Sequence, residues 1–209
     1  MPQPATLKIN DIFSSLQGEG LRQGEPTLFI RFSGCNLHCL FCDTKTAWKE
    51  GREMTVDGIL SRVDEVKRQF PSNWICLTGG EPLLQKLSPL TTKLKKSGYK
   101  IQVETNATLY QTLDVDWYTI SPKPDKYFFK PRYKKLAREV KLVVSKDLSL
   151  EQILKLRKDF PLKTPIILQP QSNLAWSRLK AVNLMRSAAA KGVENIRLSL
   201  QIHKILDIK

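Results

Sequence analysis

No stretch of about 18 consecutive apolar residues occurs in this 209-residue chain, so nothing in it reads as a membrane-spanning helix. The opening MPQPATLKINDIF lacks a basic segment followed by an apolar one, so no secretory signal is expected and the protein is read as cytoplasmic. Cysteine is scarce and unevenly placed. Three of the four fall at Cys35, Cys39 and Cys42 while Cys76 stands alone in an apolar run, which excludes a disulfide framework. Internal repeats, low-complexity segments and interdomain linkers are also missing. A chain of this length with 41% hydrophobic residues can bury about 70% of its surface without staples, so one domain over residues 1–209 is expected. Acidic residues are few in the second half: residues 121–209 hold 20 Lys and Arg against 7 Asp and Glu, and residues 1–120 hold 14 against 13. Such an excess suits an anionic partner or simply solvated outer helix faces.

What is present is an alternation of short apolar runs with amphipathic stretches. Runs at Thr27–Phe32, Trp74–Leu77, Lys100–Val103, Trp117–Ile120, Val140–Val144, Ile166–Leu168 and Ile196–Leu198 predict strands. Helices are predicted over Thr55–Phe70, Leu83–Lys96, Ser149 to about Lys158 with a capping box to Gln152, and Ala175–Lys191. Strands alternating with helices imply right-handed crossovers and a parallel sheet. The fold class expected is α/β, a partial, open β/α barrel of about six parallel strands. Residues Ser121–Arg132 form a Pro-interrupted loop too long for a simple connection. SGCNLHCLFCDT, TGGEP, ETNAT, SPKP, QPQ and QIHK each follow a predicted strand, the end at which parallel α/β folds bind ligands.

A C-x3-C-x2-C loop can present three thiolates to a soft metal centre, and thiolates select iron-sulfur clusters, zinc or copper(I). An electron-carrying [4Fe-4S] cluster takes four cysteines. Three leave one coordination position open, and an open position points to catalysis rather than structure. The other readings are a Cys3His zinc knuckle completed by His38, or unliganded thiols packed as small hydrophobes. Cys76 reads as a buried strand residue.

The Cys35-Asn-Leu-His-Cys39-Leu-Phe-Cys42 motif resembles the signature of the radical S-adenosylmethionine (SAM) superfamily. With Asp43-Thr44, Leu16-Gln17-Gly18-Glu19-Gly20 and Thr78-Gly79-Gly80-Glu81-Pro82, the chain resembles the 7-carboxy-7-deazaguanine synthases of the 7-deazapurine (queuosine) pathway over nearly its whole length. The resemblance implies a [4Fe-4S] cluster held by Cys35, Cys39 and Cys42, SAM as cofactor, and Mg2+ at Thr44. It implies a carbon-nitrogen lyase that converts 6-carboxy-5,6,7,8-tetrahydropterin to 7-carboxy-7-deazaguanine and ammonia, by 5′-deoxyadenosyl radical abstraction of the C6 hydrogen and ring contraction. An external electron donor of flavodoxin or ferredoxin type and a homodimer are implied likewise; neither membrane nor nucleic acid is required.

Carried onto this sequence, the resemblance implies SAM contacts at Phe41, Cys42, Asp43, Gly80, Ser121, Pro122 and Lys123. It implies substrate contacts at Leu16, Gln17, Gly18, Arg31 and Thr78. Several have a physical warrant beside it. Gly79 and Gly80 allow close backbone approach, Arg31 offers a planar fork for a carboxylate, and Gln17 has both donor and acceptor atoms. Glu19 and Glu81 either meet the substrate or brace a neighbouring loop, and His203 reads as structural. Two alternatives remain at this level. One is a glycyl-radical-enzyme activase, against which LQGEG and CDT argue. The other is a metal-containing RNA-binding module, built on the interleaved aromatics and cations of Lys126–Arg138.

Overall fold

A computed structural model describes residues 6–124 and 126–209. Residues 1–5, at the opening read for a signal, and Asp125, inside the expected Ser121–Arg132 loop, lie outside the described residues. In chain order the strands are β1 (Thr6–Leu16), β2 (Pro26–Phe32), β3 (Arg52–Thr55), β4 (Trp74–Gly79), β5 (Lys100–Thr105), β6 (Trp117–Ile120), β7 (Ala137–Val144), β8 (Ile166–Pro170) and β9 (Ile196–Leu198). The helices are α1 (Val56–Lys67), α2 (Ser88–Lys96), α3 (Tyr133–Leu136), α4 (Leu150–Asp159), α5 (Ala175–Ala190) and α6 (Ile202–Ile205). The described residues fall into two compact units, those within 6–16, 25–105 and 109–117 in the first and those within 17–24, 106–108, 118–124 and 126–209 in the second.

In the first unit the strand order is β3-β1-β2-β4-β5. β2, β4 and β5 are parallel neighbours, with Ile30 beside Leu77 and Leu77 beside Val103, all buried. Helices α1 and α2 bury Ile59, Val63, Leu90 and Leu94. Thr55 caps α1 by accepting the Gly58 N–H at 3.1 Å. Cys76 is fully buried, clustered with the stacked rings of Phe13 and Phe29, as its apolar run predicts.

The second unit has the order β6-β7-β8-β9, all parallel. Its central strands are buried on both faces, as parallel strands covered by helices are, mostly by apolar residues, with Glu139 and Lys141 on β7 as buried charges. Ser149 and Gln152 exchange the two hydrogen bonds of the predicted capping box at the start of α4. Neither strand set closes on itself, so the α/β, mostly parallel, open arrangement expected from periodicity is the one observed.

Two antiparallel strands, β1 and β3, were not among the predicted elements. β1 carries a bulge between Ile9 and Asp11, and the alternation that buries Leu7 and Ile9 shifts phase to bury Ile12. β3, Arg-Glu-Met-Thr, carries no apolar pattern at all. Helix α2 begins at Ser88 rather than Leu83. Gln85 is extended there because its amide bridges the Lys8 and Ser33 carbonyls at 2.9 and 3.0 Å, and Pro89 occupies the first helical turn.

Candidate functional site

Within the first unit, β2, β4 and β5 end together and deliver the cysteine loop, the TGGEP turn and Glu104-Thr105. The base of the cysteine loop is stitched by main-chain bonds, to which the Gln85 amide adds its bond to the Ser33 carbonyl. Gly34 N–H donates to the Ala47 carbonyl at 2.8 Å, Glu81 N–H to the Gly34 carbonyl at 2.7 Å, and Gly80 N–H to the Phe32 carbonyl at 3.1 Å. This contact explains both glycines of the turn. A Cβ on Gly79, whose φ is +130°, would strike the Phe32 backbone, and one on Gly80 would strike the Gly34 carbonyl. The room they leave is filled by the cysteine loop itself.

Cys35, Cys39 and Cys42, none of them in a disulfide, are of intermediate exposure above this base. Among the described residues no three His, Cys, Asp or Glu side chains gather around a point where one ion could sit. A zinc knuckle needs four donors converging within about 2.3 Å of a single metal, and His38 is turned edge-on to Trp48, with ring centroids 5.1 Å apart, instead of joining the thiols. A four-iron cluster asks something different, one thiolate on each of three irons, and three cysteines on one loop, outside any disulfide, fit it.

Beside the loop, the Thr44 hydroxyl donates to an Asp43 carboxylate oxygen at 3.2 Å, a pair of hard oxygen donors. Arg31 lies in register with Asp11 on one side and Thr78 on the other. Its guanidinium sits over the Phe13 ring at 5.2 Å, and among the described residues it forms no ion pair, so its fork is not consumed internally. Glu81 is fully buried and accepts from the Leu83 N–H at 3.1 Å and the Thr105 hydroxyl at 2.7 Å. Of the two readings of Glu81, bracing a loop is what its contacts perform. Leu16 ends β1 opposite Pro26, while Phe41 and Cys42 are half-buried.

Gln17 and Gly18 open the second unit. Gln17 is 2% exposed; its side-chain oxygen accepts the Glu19 N–H at 3.2 Å and its carbonyl the Gly24 N–H at 2.8 Å. Gly18 accepts from the Ile202 N–H at 3.0 Å, and a Cβ there would collide with the His203 imidazole. Glu19 pairs with Lys141 and accepts from the Gln201 amide at 2.6 Å. At the end of β6, Ser121 donates to the Lys141 carbonyl at 2.8 Å and receives Lys123 Nζ at 2.6 Å, and Pro122 between them in sequence is buried. Lys123 is therefore half-buried and anchored, not an ordinary surface lysine.

Three residues escaped sequence reasoning. Gln169, at the carboxyl end of β8, is 2% exposed, and neither atom of its amide meets a hydrogen-bond partner among the described residues. Glu139 and Lys141 are buried on β7. The available signal was a polar or charged residue inside an apolar strand. Conversely, the basic-aromatic stretch loses most of its stacking surface. Tyr133 is fully buried against Tyr118, Phe129 packs on Phe160, and Tyr127 is buried, which pushes its hydroxyl up to about 12. Phe128 alone of these rings is exposed, with Lys130 over its face at 5.7 Å.

The sequence pattern of the Radical SAM superfamily matches residues 29–158. Among curated relatives, the 7-carboxy-7-deazaguanine synthase of Bacteroides thetaiotaomicron is 40% identical, covering 97% of this chain and 98% of that protein. The same enzyme from Synechocystis is 36% identical over 96% and 93%, and that from Escherichia coli K12 33% over 96% and 98%. The crystal structure of QueE from Escherichia coli superposes with a TM-score of 0.78 at 27% identity, covering 94% of each chain. The class defined by fold and cysteine loop is thus a radical SAM protein, with the [4Fe-4S] cluster and SAM that this family implies. Within that superfamily the chain belongs to the 7-carboxy-7-deazaguanine synthase family.

Proposed function

We propose that the chain converts 6-carboxy-5,6,7,8-tetrahydropterin to 7-carboxy-7-deazaguanine and ammonia, as a carbon-nitrogen lyase. The observation that carries this reading is the loop of three cysteines outside any disulfide, braced by backbone hydrogen bonds to the Gly79-Gly80-Glu81 turn, in a chain 40% identical to a named synthase. Cys35, Cys39 and Cys42 would hold the cluster, which together with SAM supplies a 5′-deoxyadenosyl radical on one-electron reduction.

The remaining work falls to the protein. In the first unit Phe41, Cys42, Asp43 and Gly80 contact SAM, Thr44 offers Mg2+ a hydroxyl beside the Asp43 carboxylate, Arg31 receives the substrate carboxylate and Thr78 is a further substrate contact. In the second unit Ser121, Pro122 and Lys123 contact SAM, and the Gln169 amide is available to a ligand's polar edge. Leu16, Gln17 and Gly18 frame the pterin. A flavodoxin- or ferredoxin-type donor supplies the electron, and the working form is a cytoplasmic homodimer. Among the described residues no helix is long and apolar enough to cross a membrane.

The test is anaerobic reconstitution with iron and sulfide, then incubation with SAM, reductant, Mg2+ and the pterin, reading cluster absorbance and product mass together. The expected product has lost one ammonia. A cluster that cleaves SAM but leaves the pterin unchanged would remove the substrate, and a chain that retains zinc and builds no cluster would remove the reading entirely.

A further inference from the structure

Strand β7 carries two ionisable groups where a central parallel strand is ordinarily an unbroken apolar run. Glu139 is fully buried and Lys141 is 6% exposed, next to Val140 and Leu142, which are fully buried. Buried charges are costly unless paired, and an apolar substitute usually serves stability as well or better. Both charges are directed at one segment, residues 17–24. Glu139 accepts the Leu21 N–H at 2.7 Å and the Thr119 hydroxyl at 2.6 Å. Lys141 pairs through Nζ with one oxygen of Glu19, whose side chain is 17% exposed.

The other Glu19 oxygen is held from a second direction, by the Gln201 amide at 2.6 Å. Gln201 is itself pinned, its N–H donating to Asn173 Oδ1 at 3.0 Å and its carbonyl accepting from Asn173 Nδ2 at 2.8 Å. Flanking bonds run from the Gly20 N–H to the Ser199 hydroxyl at 2.9 Å and from the Ile202 N–H to the Gly18 carbonyl at 3.0 Å. A loop with glycine at both 18 and 20 has many conformations open to it, and these contacts select one.

We infer that Lys141 is a positioning residue for the substrate loop. It acts through Glu19, jointly with Gln201, to hold Gln17 and Gly18 in the geometry that receives the pterin; this rests on the function proposed above. Lys141 itself touches no substrate. The buried pair serves the uniqueness of one loop conformation, which an apolar pair at 19 and 141 would not specify.

Lys141→Met in the reconstituted holoenzyme keeps the length of the side chain and removes its charge. The pterin KM should rise between about ten- and a hundredfold, the range that misplacement of a binding group produces, with kcat at saturation within about twofold of wild type. Hydrogen exchange of the amides of residues 18–21 should accelerate. Glu19→Gln/Lys141→Met removes the carboxylate left buried by the single change; it should regain the melting temperature but not the KM. An unchanged KM and unchanged exchange in Lys141→Met would overturn the assignment, as would recovery of KM together with melting temperature in the double variant. Failure of the wild type to turn over the pterin would instead remove the proposed reaction, and the exchange rates of 18–21 would still decide whether Lys141 orders the loop.

Discussion

Gly80→Ala adds a single methyl group at the base of the cysteine loop. The new Cβ would fall on the Gly34 carbonyl oxygen, 2.7 Å from its carbon and 3.1 Å from the Ala47 oxygen. All are main-chain atoms. The Gly34 oxygen accepts from Glu81 and the Ala47 oxygen from Gly34, so neither can swing aside as a side chain would. Overfilling a packed site costs about 1–3 kcal/mol, and rigid backbone neighbours place this change near 3. For a chain of this size that corresponds to a fall of about 6–12 °C in Tm. Relief requires residues 33–35 to move, which displaces Cys35, so iron uptake on reconstitution should fall with Tm. Gly192→Ala is the comparison: with φ at +74° and nothing within 4 Å, it bears only a backbone penalty of about 1–2 kcal/mol and should bind its full iron. Calorimetry and iron analysis of both variants provide the assay. A Gly80→Ala protein that melts like wild type and binds full iron would refute the steric argument and move the demand for glycine from the loop to a ligand.

Cys35→Ala should abolish cluster formation and SAM cleavage, whereas Cys76→Ala, altering a buried core residue, should retain both; visible absorbance after reconstitution separates them. Ser149→Ala removes the capping box of α4 and should cost about 0.5–2 kcal/mol in urea unfolding with activity intact. Burial pushes the Asp116 carboxyl up, but the Ile101 N–H and Lys95 outweigh it, and its pKa lies below the ordinary carboxylate value. That stabilisation is present above the unfolded-state pKa and is lost as pH falls through the folded one. Asp116→Asn should therefore flatten the acid side of a stability-against-pH curve while lowering stability at neutral pH; an unaltered acid slope would count against it.

Periodicity located seven strands from their short apolar runs; β2 and β4 to β8 carry such runs because they bury residues on both faces, whereas β9, Ile-Arg-Leu, keeps its run although its residues are half-buried or exposed. β1 was hidden by its own bulge, since an inserted residue reverses which positions face the core. β3 was hidden because pairing with β1, not composition, makes it a strand. The cysteine loop was legible for a chemical reason, as thiol spacing constrains a metal centre directly. Glu81, Gln169 and Lys141 were not, because each role depends on partners far away in sequence: Thr105 for Glu81, the absence of any hydrogen-bond partner among the described residues for the Gln169 amide, and Glu19 for Lys141. The aromatics of Lys126–Arg138 show the reverse error. Alternation with cations suggested an exposed stacking face, yet Tyr127 and Tyr133 are buried and the half-buried Phe129 packs on Phe160.

The stitching of Gly34 to Ala47 and Glu81 has a consequence for how this segment can vary in length. Its ends are joined by main-chain bonds, and the twelve residues from 35 to 46 lie between them. Closing a flexible loop becomes costlier only logarithmically, by about 0.6 kcal/mol for each doubling. Twelve extra residues between the anchors would thus leave the strands and helices nearly as stable as before, while the spacing of the thiols, on which metal capture depends, would be redrawn. Folding and cluster binding can accordingly diverge under insertion, the first tolerating changes of chain length that the second does not.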